Sequence, residues 1–207
     1  MTNLYDRYVL PPLINYCCGM ESLAELREAL IPKARGRVLE IGFGSGLNLP
    51  FYSASQISKV IAVEPSEGMR RQAAENLARS PVPVEWLSIG AEELSLPAGS
   101  IDTVVLTFTL CTVPEWKKVL AHLHQALADD GQVLFLEHGL SDDGQVRKWQ
   151  NRLTPVWKRL AGGCHLNRPI ATALEAADFR ITTVEKFYFE GAPKFAGFIY
   201  QGIAGKD

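Results

Sequence analysis

The sequence contains no uninterrupted apolar run long enough to cross a bilayer. Met1 to Arg7 lacks a basic segment followed by an apolar stretch, so no secretory signal is expected. Neither sign of charge dominates: 21 Lys and Arg against 23 Asp and Glu leave a formal net charge of -2. The basic footprint of a nucleic-acid partner is therefore missing. Cysteines number four, Cys17, Cys18, Cys111 and Cys164, with no C-x-x-C pair and no zinc-framework spacing. They are expected to be reduced thiols of a cytoplasmic protein without structural disulfides. His122 and His124 are two apart and fall on different faces of a helix, so no metal site is expected.

What is present fits one domain with a sizeable core: 207 residues, 47% hydrophobic and 21% charged. No repeat, low-complexity tract or long linker divides it. Residues 1–31 read as two helical stretches. The first, about Leu4 to Tyr16, is expected to break at Pro11-Pro12; the second carries Leu23, Leu26 and Leu30 at helical spacing. From there strands and helices alternate. Strands are expected at about 37–41, 59–64, 84–88, 101–108 and 132–137, with helices at 46–52, 66–78, 114–128, 143–161 and 168–177. Asp129-Asp130-Gly131 reads as a turn, and two strands at about 180–188 and 195–203 close the chain as an antiparallel pair. This alternation predicts a mostly parallel sheet covered on both faces.

Val38 to Gly46 organises the chain: an apolar strand runs into glycines at 42, 44 and 46. Glycine permits left-handed backbone and close ligand approach. In an open α/β sheet, ligands bind at the carboxyl ends of strands. The dinucleotide fingerprint is G-x-G-x-x-G; here the third glycine comes one residue early. That spacing argues against a pyrophosphate and for a cofactor with no phosphate to seat, such as S-adenosylmethionine (SAM). Glu64, at the end of the second strand, can accept both hydroxyls of a ribose. Glu40 stands at the mouth of the glycine turn.

These segments resemble the class I SAM-dependent methyltransferases. Val38–Gly46 is similar to the family's first motif and Ile61 to Ser66 to its ribose-binding strand end. Gly90-Ala91-Glu92-Glu93-Leu94 is similar to the adenine-side loop, with Gly90 where the family often has an acid; adenine contact then falls to backbone at Ala91 and Glu92. Asp102 to Phe108 resembles the fourth strand, which borders the methyl-transfer site. The resemblance implies a Rossmann-like three-layer α/β/α sandwich, with a mostly parallel seven-stranded sheet ending in an antiparallel C-terminal hairpin. It implies SAM as cofactor, held by Glu40, Gly42, Gly44, Gly46, Asn48, Glu64, Pro65, Ala91, Glu92 and Thr107. It also implies one domain over 1–207, with 1–31 a helical cap and 143–168 a substrate-side insertion.

Leu110 to Val113, Glu137-His138 and Gly163 to Arg168 resemble a narrower group that includes membrane-associated thiol methyltransferases of mammals. This chain is expected to lack their hydrophobic N-terminal anchor. The implied reaction is methyl transfer to a small, largely apolar acceptor, a thiol first, with a phospholipid amine or a quinone-like ring as the alternative. The expected assembly is a monomer or homodimer.

Cys111 and His138 follow carboxyl strand ends, and His165 lies in the Gly162–Asn167 loop; these three are the candidates for the acceptor side. In the segment 146–160, Trp149, Leu153, Val156, Trp157 and Leu160 recur at helical spacing beside five basic residues. That face is expected to pack on the sheet and line the pocket, with weak membrane-surface contact as the other reading. Tyr5, Tyr8 and Tyr16 read either as closing the opposite side of the cleft, since the resemblance implies such a segment over the cofactor, or as ordinary aromatic packing.

Overall fold

The computed structural model describes residues 4–206, except for the side chains of Asp6 and Arg7. Met1–Asn3 and Asp207, which the expected single domain and N-terminal cap include, lie outside the described residues.

Seven strands make one sheet: β1 (Gly36–Ile41), β2 (Ile57–Val63), β3 (Val84–Leu87), β4 (Ile101–Thr107), β5 (Leu127–His138), β6 (Phe179–Tyr188) and β7 (Phe198–Lys206). Their order is β3-β2-β1-β4-β5-β7-β6. The first five run parallel, and β7 runs antiparallel to both β5 and β6. The closing hairpin is thus inserted with its second strand inward, so β6 forms the edge.

Period-two alternation divides the core between two faces. Val38, Val60, Ala62, Val105 and Leu134 pack on one face with Leu30 and Ile31. Leu39, Ile61, Val104, Leu106, Val133 and Phe135 pack on the other. Helix α3 (Glu67–Ala78) adds Ala73 to the first face, while α4 (Trp116–Ala126) and α6 (Ile170–Glu175) cover the second. The other α-helices among the described residues are α1 (Leu10–Cys18), α2 (Glu21–Leu30) and α5 (Gly144–Leu160).

Four expectations of local structure are corrected. Pro11 and Pro12 do not break a helix; they begin α1, after a wide turn over Tyr5–Val9, where a missing N–H costs nothing. The helix expected over 46–52 is a single 3₁₀ turn, Leu49–Phe51. Asp129-Asp130-Gly131 is no turn: β5 already begins at Leu127, and partly exposed Ala128 to Asp130 precede its buried stretch. Finally, α5 buries Val146, Gln150 and Thr154, while Trp149, Val156 and Leu160 face solvent. The apolar spacing was real, but polar contacts set the packed face: the Gln150 amide donates to Gly139 O at 3.0 Å and accepts from Ser141 N–H at 2.9 Å.

Candidate active site

The strand order reverses between β1 and β4, which opens a crevice at their carboxyl ends. A cleft of about 410 Å³ fills that position. β1 delivers Glu40 and the glycine turn, β2 delivers Glu64, β4 delivers Thr107, and α1 roofs the cleft with Leu10, Pro11 and Ile14. All ten expected cofactor residues except Gly46 lie on its wall.

The turn is glycine-rich for two reasons. Gly42, Gly44 and Gly46 have φ of 67°, 60° and 75°, in the left-handed region. At Gly42 a Cβ would also sit 2.0 Å from Thr109 Oγ1, so this glycine admits the loop after β4 as well as a ligand.

Glu64 is fixed by two backbone donors: Gly44 N–H to Oε2 at 3.1 Å and Ser66 N–H to Oε1 at 2.8 Å. Burial pushes its pKa up, and those hydrogen bonds pull against the rise. A carboxylate held this way keeps acceptor capacity for a diol.

Glu40 is spent differently. It is fully buried, its Oε1 accepts from Asn48 Nδ2 at 2.9 Å and its Oε2 from Tyr52 OH at 2.6 Å. Burial pushes its carboxyl up to about 7. Since a carboxylate only accepts, Asn48 must turn its NH₂ toward Glu40, and the same NH₂ donates to Thr107 Oγ1 at 3.0 Å. Asn48 Oδ1 is then left buried on the cleft wall with no partner. An orphaned acceptor of this kind suits a ligand ammonium.

Arg27 was not singled out from the sequence. It shares the stripe of Leu23, Leu26 and Leu30, and a charge on an apolar helix stripe was the signal. The side chain is buried on the cleft wall, its Nη1 donates to Cys18 O and Leu23 O, and its Nε has no partner. Its guanidinium lies 5.7 Å from the Phe108 ring centroid. Phe108 itself has φ of 54°, unusual for a residue with a side chain.

Cys111, His138 and His165 lie behind the cleft wall. Cys164 joins the first two: its Sγ is 3.7 Å from Cys111 Sγ and 3.5 Å from His138 Nδ1. That contact pulls the Cys164 thiol down to about 5, while the Cys111 thiol is pushed up. His165 meets the pair through its backbone, donating N–H to Cys111 O at 2.9 Å. Nearby, Glu137 accepts from the N–H groups of Thr109, Leu110 and Cys111 at 2.8, 2.7 and 3.1 Å and so shapes the loop after β4. The tyrosines do not close the cleft: Tyr8 and Tyr16 are exposed, and Tyr5 OH donates to Leu160 O at 2.7 Å.

Comparison with known proteins gives a consistent result. A family model described as a methyltransferase domain matches residues 16–184. Thiol S-methyltransferase TMT1B of Rattus norvegicus is 32% identical over 152 residues, 72% of this chain and 62% of that protein. The chain thus spans less than two thirds of that relative. A phosphatidylethanolamine N-methyltransferase of Cereibacter sphaeroides is 35% identical over 106 residues, half of this chain and 51% of its own length. Among solved structures, a SAM-dependent methyltransferase of Leishmania major shares the fold, with a TM-score of 0.68 over 97% of this chain and 80% of its own, at 19% identity.

Proposed function

The chain belongs to the SAM-dependent methyltransferases, and on that premise we propose that it methylates a small, largely apolar acceptor, a thiol first. When bound, SAM supplies an electrophilic methyl group on a sulfonium. Glu64 would hold the ribose hydroxyls, Asn48 Oδ1 the ammonium, Arg27 the carboxylate, and the backbone of Ala91 and Glu92 the adenine. The orphaned oxygen of Asn48 and the unpartnered Nε of Arg27 are the features that suit this occupant.

One observation carries the choice of acceptor. Beyond Thr107 the wall runs through Phe108, Thr109 and Thr112 to Pro114, faced by α1 from Leu10 to Cys18 and the Gly162-Gly163 turn, and no histidine or carboxylate lines this part. Such a wall aligns an acceptor and excludes water but offers no base. A thiol, with pKa near ~8.5, reaches its nucleophilic anion without one. An ammonium or a ring carbon needs a proton removed by the protein.

The alternative is a phospholipid amine or quinone-like ring, and its lipid arm draws support from the Cereibacter sphaeroides relative. Labelled SAM offered in parallel with an alkanethiol, phosphatidylethanolamine vesicles and a quinol distinguishes the readings. Label in the thioether supports the thiol; label only in lipid or quinol transfers the proposal to that acceptor.

A further inference from the structure

We propose that α5 and the N-terminal helical segment form an interfacial surface that docks this protein reversibly on an anionic lipid bilayer, with the cleft mouth beside the contact. Helix α5 turns Trp149, Val156 and Leu160 to solvent with 56%, 58% and 58% exposure. These residues are 7 and 11 positions beyond the first, one stripe on a helix. Lys148, Arg152 and Arg159 fall along the solvent side of the same stripe, and all three are exposed.

Charge identifies the occupant. Over its 17 residues α5 carries Arg147, Lys148, Arg152, Lys158 and Arg159 and no acid, in a chain whose net charge is -2. Elsewhere five exposed cations pair with carboxylates, Arg35 with Asp130, Lys59 with Glu85, Arg71 with Glu67, Arg79 with Glu75 and Lys186 with Asp142, and the exposed cations without a described carboxylate, such as Lys33, Arg37, Arg180 and Lys194, are scattered rather than gathered on one acid-free helix. Lys148, Arg152, Lys158 and Arg159 pair with no described carboxylate. An apolar stripe flanked by unpaired cations matches acyl chains beneath anionic headgroups. No described helix is long and apolar enough to cross a membrane, so the contact is interfacial.

The surface continues onto the N-terminal segment. Tyr5 OH bonds Leu160 O at 2.7 Å, and Leu10 and Ile14 abut Gly162. Leu4, Tyr8 and Leu13 there are exposed. Leu10 and Ile14 on one side and Ala161 to Gly163 on the other are also cleft walls. The same two elements that present apolar surface therefore rim the cleft, which would let an apolar acceptor enter from the lipid phase. The docking itself does not depend on which acceptor is methylated.

Vesicle flotation tests the proposal without turnover. Wild-type protein should float with vesicles of phosphatidylcholine and phosphatidylglycerol, not with phosphatidylcholine alone, and should be released at about 1 M salt. The triple variant Lys148→Glu/Arg152→Glu/Arg159→Glu should partition at least about tenfold less. Its melting temperature and SAM affinity should match wild type, since these side chains touch neither core nor cleft. Equal flotation of the triple variant, or no flotation of wild type on anionic vesicles, overturns the proposal. So does a salt-resistant dimer that Trp149→Ala dissociates, because the stripe would then face a second copy of this chain.

Discussion

Asn48 donates to Glu40 Oε1 at 2.9 Å and thereby presents its own Oδ1, unpartnered, to the cleft. Glu40 acts through Asn48: both of its oxygens are occupied inside the protein, and its part is to set which way the amide points. Asn48→Ala should weaken SAM binding by about 1–3 kcal/mol, the usual cost of removing a hydrogen bond to a charged group. Titration calorimetry reads this directly, and an unchanged Kd would remove Oδ1 from the ligand set.

Glu64→Ala should weaken SAM binding by about 1.5–3 kcal/mol. Part of the loss is indirect, because the Gly44 N–H then loses its acceptor and the turn loosens. Adenosine, which keeps the ribose and drops the methionine end, should lose about as much affinity as SAM. A loss confined to SAM would place Glu64 elsewhere.

The glycines of the turn should not be equivalent. A Cβ on Gly42 meets Thr109 Oγ1 at 2.0 Å, whereas a Cβ on Gly44 meets nothing closer than Met69 Cε at 3.3 Å. Both substitutions carry left-handed strain of about 1–2 kcal/mol. Gly42→Ala should cost about 1–3 kcal/mol more, from overpacking against backbone-anchored atoms. Denaturant melts of the two variants test the ranking, and equal stability would contradict it.

How much of this was legible beforehand follows from which interactions are local. The glycine turn, the strand ends and the parallel sheet are written in consecutive residues, and the motif Val38–Gly46 leads directly to the cleft. The Glu40–Asn48–Tyr52 relay spans 12 positions, from the end of β1 across the glycine turn and past the 3₁₀ turn Leu49–Phe51, and Arg27 reaches the site from a helix whose periodicity is that of its apolar residues. In α5 the pattern marked the apolar stripe but not its direction. Gln150, a polar residue bonded to Gly139 and Ser141, holds the opposite face inward.

Stability should fall as pH rises through the neutral range. Burial pushes the carboxyls of Glu40 and Glu137 up to about 7, above the ~4.3 of an unfolded glutamate. Between those values the folded chain holds more protons than the unfolded one. The stabilisation is complete below about 4.3 and is lost as pH climbs through about 7. Glu137→Gln removes that residue's share, so its melting temperature should depend less steeply on pH between about 4.5 and 7. An unchanged slope would place the Glu137 titration outside that window.

His138 sits behind the wall, with Nδ1 on Cys164, so His138→Asn should alter thermal stability and leave the pH profile of turnover unchanged. A turnover profile that loses an ionisation in the variant would make His138 a base for the acceptor.

The central claim is that this cleft delivers a methyl group to a thiol without a protein base. The most direct test is the rate of label transfer from SAM to an alkanethiol between about pH 6 and pH 9.5. The predicted result is a thioether whose formation rises with the ionisation of the thiol itself, near ~8.5, with no second ionisation from the protein. Transfer to phosphatidylethanolamine or a quinol with none to any thiol would contradict it.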